Sequence, residues 1–166
     1  MTTTWISEDG EPVSKKISIF GWALLLSRGS AIIFIIVFGL LLKFLLRVFE
    51  KPLFGDMRPV SPQITVMVSK ISLWLLSIPV IRFGAPLKQP GAFVANHSSW
   101  LDIFALNSGQ SLYFVSKSEV ASWPGIGFLA KVTGTLFIRR ESKEAVAQKK
   151  LFGQRIKMGH RLLFFP

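Results

Sequence analysis

Two long apolar stretches in the first half of the chain predict a pair of helices. The first begins at Ile19, is uninterrupted over 31–42, and continues past Lys43 and Arg47 to Phe49. Its last 19 residues would span about 28 Å as a helix, close to the ~30 Å hydrocarbon core of a bilayer. Such a run has no polar face to present to water, which disfavours the buried helix of a soluble protein. The length is compatible with a spanning helix and with one that enters a single leaflet.

A second apolar helix is predicted over 64–81, stopped near Pro79. The segment 51–62 separates the two helices, and its three prolines and one glycine are typical of a break. The polar segment 1–18 has neither the basic start nor the cleavage site of a secretory signal. We therefore predict a polar tail over 1–18, followed by a membrane-embedded helical hairpin within 19–90.

From Gly91 onward, short apolar runs alternate with stretches of helical pattern. This alternation predicts an α/β layer structure, although it does not give the order of the strands. The predicted strands are 93–95, 112–115, 135–138 and 162–165, and the predicted helices are 102–106, 119–123 and 143–158. The fold class predicted for the whole chain is therefore α/β, with an N-terminal helical hairpin ahead of an α/β domain over 91–166.

Composition and charge agree with a membrane-associated protein. Half of the residues are apolar, and 15 Phe and 5 Trp are among them. Twenty basic against nine acidic residues give a net charge of +11, which suits an anionic bilayer surface or anionic substrates. Nucleic acid is the competing interpretation, disfavoured because no recognised nucleic-acid motif appears and the basic residues flank apolar segments. The chain has no cysteine, which excludes disulfides and thiolate metal sites and agrees with a cytosolic face.

The candidate chemistry lies where the first predicted strand meets the first predicted helix of the α/β domain. His97 falls on the turn, and Asp102 falls in the early turns of the helix. The carboxylate is then placed to accept a hydrogen bond from one imidazole nitrogen, which leaves the other nitrogen as a proton acceptor. Ser98 and Ser99 lack the glycine-flanked elbow of a hydrolase nucleophile. The alternative is that Asn96 and the two serines only cap a helix, with His97 and Asp102 as ordinary polar residues near its start.

Four motifs in order resemble the glycerolipid acyltransferases, the family of the lysophosphatidic acid acyltransferases. Asn96-His97-x-x-x-x-Asp102 resembles the first signature block of that family. The further matches are the lysine-bearing strand end at 115–119, the Pro-x-x-Gly turn at 124–127, and the second block, Gly-x-x-Phe-Ile-x-Arg, at 134–140. Residues 159–166 look like the approach to the third block, which in the family continues from Phe-Pro into Glu-Gly-Thr. We therefore expect this domain to be the N-terminal part of an acyltransferase domain, cut short.

The resemblance implies an O-acyltransferase that moves a fatty acyl group from an acyl thioester to the hydroxyl of a lysolipid. His97 would take the hydroxyl proton and Asp102 would hold the imidazole ring. The predicted substrate-binding residues are Lys117, Gly134, Arg139 and Arg140, with Lys117 and Arg140 assigned to the anionic head group. A close backbone approach or a turn would explain Gly134, and the turn is the favoured interpretation. A solvated strand end is the alternative for Arg139, Arg140 and Lys117.

The implied partners are membrane lipids and an acyl donor, either acyl-CoA or acyl carrier protein, with no nucleic acid, metal or other cofactor. The acceptor is left open between lysophosphatidic acid and an amino-acid lipid such as lyso-ornithine lipid. The expected location is the inner (cytoplasmic) membrane, with the catalytic domain on its cytoplasmic face. Two rivals are a non-catalytic or inactive membrane-bound protein that binds anionic lipid, and a lipid esterase. His160 matches no block and is expected at the surface.

Overall fold

The computed structural model describes residues 16–86, 88–139 and 141–165, which form two packed helices followed by an α/β unit with a parallel sheet. The elements in chain order are α1 (Ile19–Phe54), α2 (Ser61–Leu75), β1 (Gly91–Val94), α3 (Leu101–Asn107), β2 (Tyr113–Lys117), α4 (Ile126–Thr133), β3 (Leu136–Ile138), α5 (Ala145–Lys157) and β4 (Arg161–Phe164). Two 3₁₀ turns, Ser118–Ser122 and Ser142–Glu144, precede α4 and α5. The predicted α/β class is confirmed.

The first helix is longer than predicted. The 36-residue α1 begins at its cap, Ser18, whose hydroxyl accepts the N–H of Gly21 at 3.1 Å, and continues through Pro52. It ends where Gly55 adopts a φ of +59° and donates its N–H to the carbonyl of Lys51 at 3.0 Å. Most of its large apolar side chains are exposed, including Phe34 and Phe44. By length and composition α1 is able to cross a membrane.

Helices α1 and α2 pack as a hairpin and exchange polar contacts. Nζ of Lys43 donates to Oγ1 of Thr65 at 2.8 Å, and the Lys43 side chain is buried. Glu50 is also buried, and its Oε1 accepts the N–H groups of Val60 and Ser61 at 2.7 and 2.8 Å. These are N–H groups at the start of α2 that have no partner within the helix, so a carboxylate from α1 caps its neighbour.

The second helix is shorter than predicted. It ends at Leu75, not near 81, because Ile78 precedes Pro79 and a residue before proline is disfavoured in helical conformation. The chain leaves the helix through Ser77, which has a φ of +57°, and Ile78 donates its N–H back to the carbonyl of Leu73 at 3.0 Å. Residues 78–90 then lead to β1 without regular structure, Leu87 lying outside the described residues.

All four predicted strands are present in one parallel sheet, in the order β1-β4-β2-β3. Phe164 of β4 pairs with Val94 of β1 on one side and with Val115 of β2 on the other. The last strand of the chain is therefore central, between the strands that carry the first two predicted motifs. The core consists of apolar residues of β2, β3 and β4 packed against α5: Tyr113, Val115, Leu136, Leu162, Leu151, Phe152 and Ile156.

The sequence interpretation missed α4. The turn predicted over 124–127 is present at Pro124 and Gly125, but it leads directly into a helix that begins at Ile126. Gly125 adopts a φ of +70°, which a residue with a side chain rarely does. Gly127 packs so closely that a Cβ there would overlap the carbonyl of Ala121. The glycines thus serve the entry and the packing of a helix.

Candidate active site at the carboxyl edge of the sheet

The turn between β1 and α3 brings His97 and Asp102 together as predicted. His97 follows β1 by three residues, and Asp102 lies in the first turn of α3. Nδ1 of His97 and Oδ2 of Asp102 are 3.0 Å apart, within hydrogen-bond distance. The two side chains are 41% and 26% exposed, so the pair is open to a ligand at the carboxyl edge of the sheet.

Asp102 is held ionised by its surroundings. Oδ2 also accepts the backbone N–H groups of Ser98 and Ser99, at 2.8 and 2.9 Å. These backbone hydrogen bonds, with that of His97, hold the pKa of the Asp102 carboxyl below its usual value. A carboxylate facing Nδ1 favours the imidazole tautomer with its proton on Nδ1, which leaves the lone pair of Nε2 available to accept a proton.

The cap of α3 differs from the predicted one. The residue before the helix is Trp100, which makes no side-chain cap, and Oγ of Ser99 accepts only the N–H of Leu101, at 3.2 Å. Instead, the carboxylate of Asp102 reaches back to the start of the turn. The spacing Ser99-x-x-Asp102 has the form of a capping box, a signal in the sequence that the prediction did not use.

Phe165 is a site residue that the sequence interpretation missed. Its ring stacks on the imidazole of His97 at a centroid distance of 4.1 Å and an interplanar angle of 15°. It also stacks on Phe114 of β2, at 5.6 Å and 25°. Side chains alternate between the two faces of a strand, so residue 165 is expected on the same face as Leu163. This alternation is the sequence signal that could have pointed to Phe165. The histidine is therefore fixed by a carboxylate at Nδ1 and by an aromatic ring at one face.

Lys117 and Arg139 lie at the same edge as His97. Val94 and Val115 pair with the same residue of β4 from opposite sides. Asn96 and Lys117, each two residues further on, therefore lie at the same level along the strand direction, with β4 between them. Two strand spacings amount to about 10 Å across the sheet. Lys117 is exposed, and Arg139 follows β3 with its guanidinium 3.8 Å from the Glu144 carboxylate. Arg140, the predicted head-group ligand, lies outside the described residues.

Gly134 lies elsewhere, at the amino edge. It ends α4 with a φ of +90° and precedes β3, so it is at the opposite end of the sheet from His97. A Cβ at this position would stand 3.0 Å from Tyr113 and from Nη1 of Arg58. The structure thus gives Gly134 the turn that the sequence interpretation favoured, and does not bring it to the His97 site.

The expectation that His160 lies at the surface is wrong. The side chain is buried, with 5% exposure, and its ring stacks on Tyr113 at 4.2 Å. Gly159 adopts a φ of +88° and turns the chain from α5 directly into β4, so that His160 precedes this strand and packs against Tyr113. Burial, and then the charges of Arg155 and Arg58, lower the pKa of His160 to about 4. It is therefore neutral at pH 7.

The structure combines a parallel sheet in an α/β unit with a histidine at its carboxyl edge that is hydrogen-bonded to a carboxylate, an arrangement that suits general-base chemistry. Among the described residues, Asp102 is the only hydrogen-bond partner of the His97 ring, so no serine nucleophile is bonded to it. No group of three or more His, Asp or Glu side chains placed to hold a metal ion occurs among the described residues. Such a site is suited to activating a hydroxyl supplied by a substrate.

Residues 78–166 match the Acyltransferase family, and the chain belongs to this family. It is 46% identical over 162 residues to a lyso-ornithine lipid O-acyltransferase of Rhodobacter capsulatus, a match that covers 98% of this chain and 58% of the relative. It is 34% identical over 142 residues to the lyso-ornithine lipid O-acyltransferase of Pseudomonas aeruginosa, a match that covers 86% of this chain and 55% of the relative.

A third relative is a 1-acyl-sn-glycerol-3-phosphate acyltransferase of Neisseria gonorrhoeae, 37% identical over 84 residues, which cover 49% of this chain and 33% of the relative. The chain thus spans less than two thirds of the length of these relatives. No solved structure matches it.

Proposed function

We propose that this chain carries the acyl-transfer site of an enzyme that moves a fatty acyl group from an acyl thioester to the hydroxyl of a lysolipid. The observation that carries the proposal is the His97–Asp102 pair, with Nδ1 and Oδ2 at 3.0 Å, in a chain that belongs to the Acyltransferase family. The family resemblance supports the thioester donor, either acyl-CoA or acyl carrier protein. The names of the relatives support a lysolipid acceptor.

His97 acts as the general base. Nε2 takes the proton of the acceptor hydroxyl while its oxygen attacks the thioester carbonyl, forming a tetrahedral intermediate. Collapse of that intermediate breaks the carbon–sulfur bond, and the departing thiolate takes the proton back from the imidazolium. Asp102 stays ionised and stabilises the imidazolium in between. General-base assistance of this kind contributes roughly 10²- to 10⁴-fold to a rate.

Lyso-ornithine lipid is the acceptor we favour, because the two relatives that cover most of this chain carry that name. Lysophosphatidic acid is the second candidate, favoured by the Neisseria relative. Both head groups are anionic at one end, through a carboxylate or a phosphate. Lys117 and Arg139 lie at the His97 edge and suit either anion, and we assign Arg140 to the same role from the family motif.

The membrane location is part of the same proposal. The exposed apolar surface of α1 supports insertion of the hairpin, which we place at 19–90, between the tail 1–18 and the acyltransferase domain 91–166. We place the protein in the inner membrane with the domain on the cytoplasmic face. Apolar insertion resists salt, whereas surface ion pairing does not. The protein should stay in the membrane pellet after a high-salt wash, and its release would contradict insertion.

The decisive experiment follows a labelled acyl group in detergent solution. It uses the 166-residue chain and the same chain extended with the remaining C-terminal part of the Rhodobacter relative. Transfer to lyso-ornithine lipid that is lost in the His97→Ala variant supports the proposal. The control is Lys150→Gln, an exposed side chain of α5 outside the predicted site, which should retain the rate.

The rival functions give different results in the same assay. An esterase would release free fatty acid without an acceptor. A protein that only binds anionic lipid would transfer no label in either form, although it remained folded. Parallel reactions with lysophosphatidic acid decide between the two acceptors.

A further inference from the structure

A pocket of about 280 Å³ opens at the amino edge of the sheet, at the opposite end from His97. The loop between α1 and α2 forms one wall, and the first residues of β2 and β4 form the other. The residues that line the pocket include Met57, Arg58, Ser111, Tyr113, His160 and Arg161. Because β2 rises about 3.3 Å per residue, the ends of this strand are about 13 Å apart, so this pocket is separate from the acyl-transfer site.

Positive charge concentrates around the pocket, and Asp56 offsets only part of it. Arg58 and Arg161 line it, and the charge of Arg155 acts on both Arg58 and His160. In the part of the chain that the structure describes, none of these arginines forms an ion pair with a carboxylate. The Nε atoms of Arg58 and Arg161 are buried there without a hydrogen-bond partner. The two arginines are half-buried, and a cation that is partly withdrawn from water is stabilised by a counter-charge, so an anion would complete this cluster.

Each of the two arginines that line the pocket donates a hydrogen bond to a backbone carbonyl. Nη1 of Arg58 donates a long hydrogen bond of 3.5 Å to the carbonyl of Val132, and the guanidinium lies close to Gly134. Arg161 donates to the carbonyl of Lys88. Asp56 offsets part of the charge on Arg58 without an ion pair. Two guanidinium groups at one cavity provide planar N–H donors, from which phosphate oxygens accept hydrogen bonds.

The mouth of the pocket adjoins apolar surface at the end of α1. Leu53, Phe54 and Met57 are 75%, 47% and 49% exposed, and Met57 also lines the pocket. A ligand with a phosphate and an acyl chain would therefore match both surfaces.

We propose that this pocket binds a phosphate group, either free or as the head group of a membrane phospholipid that lies against the end of α1. The proposal is independent of the acyl-transfer function. It concerns the opposite edge of the sheet and would stand if no transfer were observed.

The test measures thermal unfolding of the 166-residue chain in a neutral detergent. Inorganic phosphate replaces chloride at constant ionic strength, and dihexanoyl phosphatidic acid is titrated separately below its micellar concentration. We expect a saturable rise of the midpoint with both ligands, and no rise with dihexanoylglycerol, which lacks the phosphate. Arg58→Gln and Arg161→Gln should each weaken binding by about 10-fold, the loss of a charged hydrogen bond.

The controls separate the pocket from general charge and from catalysis. Lys150→Gln removes one exposed positive charge of α5 and should leave binding unchanged, whereas a loss equal to that of Arg58→Gln would overturn the proposal. His97→Ala should also bind normally. If Arg58→Gln does not fold, Arg161→Gln decides the test. Tighter binding of the lipid identifies the head group as the ligand, equal binding identifies free phosphate, and no saturable rise with either contradicts the site.

Discussion

Nδ1 of His97 and Oδ2 of Asp102 lie 3.0 Å apart, and the same carboxylate oxygen holds the turn through the N–H groups of Ser98 and Ser99. Asp102 therefore has two tasks, since it orients the imidazole and fixes the backbone that carries it. The replacement Asp102→Asn should weaken both the hydrogen bond to the imidazole and the hydrogen bonds to the backbone of the turn, because an amide bonds less strongly to these donors than a carboxylate does.

The first prediction compares this change in two backgrounds. His97→Ala should remove most of the acyl-transfer rate per folded molecule. Asp102→Asn should then cost much less in the His97→Ala background than by itself, because residues that act as one unit are not additive. Losses that multiply would show independent roles. If the pair only caps a helix, both variants should lose ~1 kcal/mol of stability and keep their rate.

The second prediction concerns the packing of the hairpin. Gly39 of α1 faces Val68 of α2 so closely that a Cβ would overlap the valine side chain. Gly39→Ala should therefore separate the helices and destabilise the protein by ~1 to 3 kcal/mol, the usual cost of overpacking. Gly29→Ala is the matched control on the same helix, where nothing lies within 4 Å of the added methyl group. Equal thermal midpoints for the two variants would argue against the close helix contact.

The third prediction separates a turn from a substrate contact at Gly134. Gly134→Ala forces a side chain into a φ of +90° and against Tyr113, which should cost at least ~1 kcal/mol of stability. The rate per folded molecule should stay unchanged, because the residue lies at the amino edge. Gly153→Ala, in the open middle of α5, should instead stabilise by roughly 0.5 to 1 kcal/mol. A selective loss of acceptor use in Gly134→Ala would restore the substrate-binding role.

Local patterns were enough to predict the four strands and to place Asp102 within reach of His97, and the family resemblance favoured the pair over a simple helix cap. His97 and Asp102 are five positions apart in the sequence, on either side of one turn. Each strand is a short apolar run between polar residues. The motif at Lys117 could be placed near His97 only after the order β1-β4-β2-β3 was known, because that order depends on how α5 returns the chain to the middle of the sheet.

Burial and contacts between residues far apart in the chain could not be predicted from the sequence. His160 was misplaced because it matches no signature block and lies near the end of a predicted helix, whereas its burial depends on Tyr113 on another strand. Arg58 received no role because it lies in a proline-rich loop, far along the chain from β4, whose residues complete the pocket. The helix α4 was missed because, in the sequence, the glycines at its start cannot be distinguished from the glycines of a turn.

The last prediction concerns acid sensitivity at His160. Its pKa falls from 6.5 to about 4 on folding, chiefly through burial and then through Arg155 and Arg58, with Asp56 opposing. Between these values the unfolded chain binds a proton that the folded chain does not, so stability should fall as the pH falls through this window. From pH 7 to pH 5 the loss should be about 2 kcal/mol.

The variant that tests this is His160→Phe, which preserves a ring against Tyr113 and removes the titration. Its stability should change much less over the same interval, as measured by thermal unfolding at pH 7 and pH 5. Asp102 does not confuse the comparison, because its lowered pKa places its own loss of stability below this interval. Glu141→Gln, an exposed carboxylate, is the control and should retain the sensitivity of the parent chain. An equal loss in His160→Phe and in the parent chain would mean that another group causes it, and that the buried imidazole is not the acid-sensitive element of the fold.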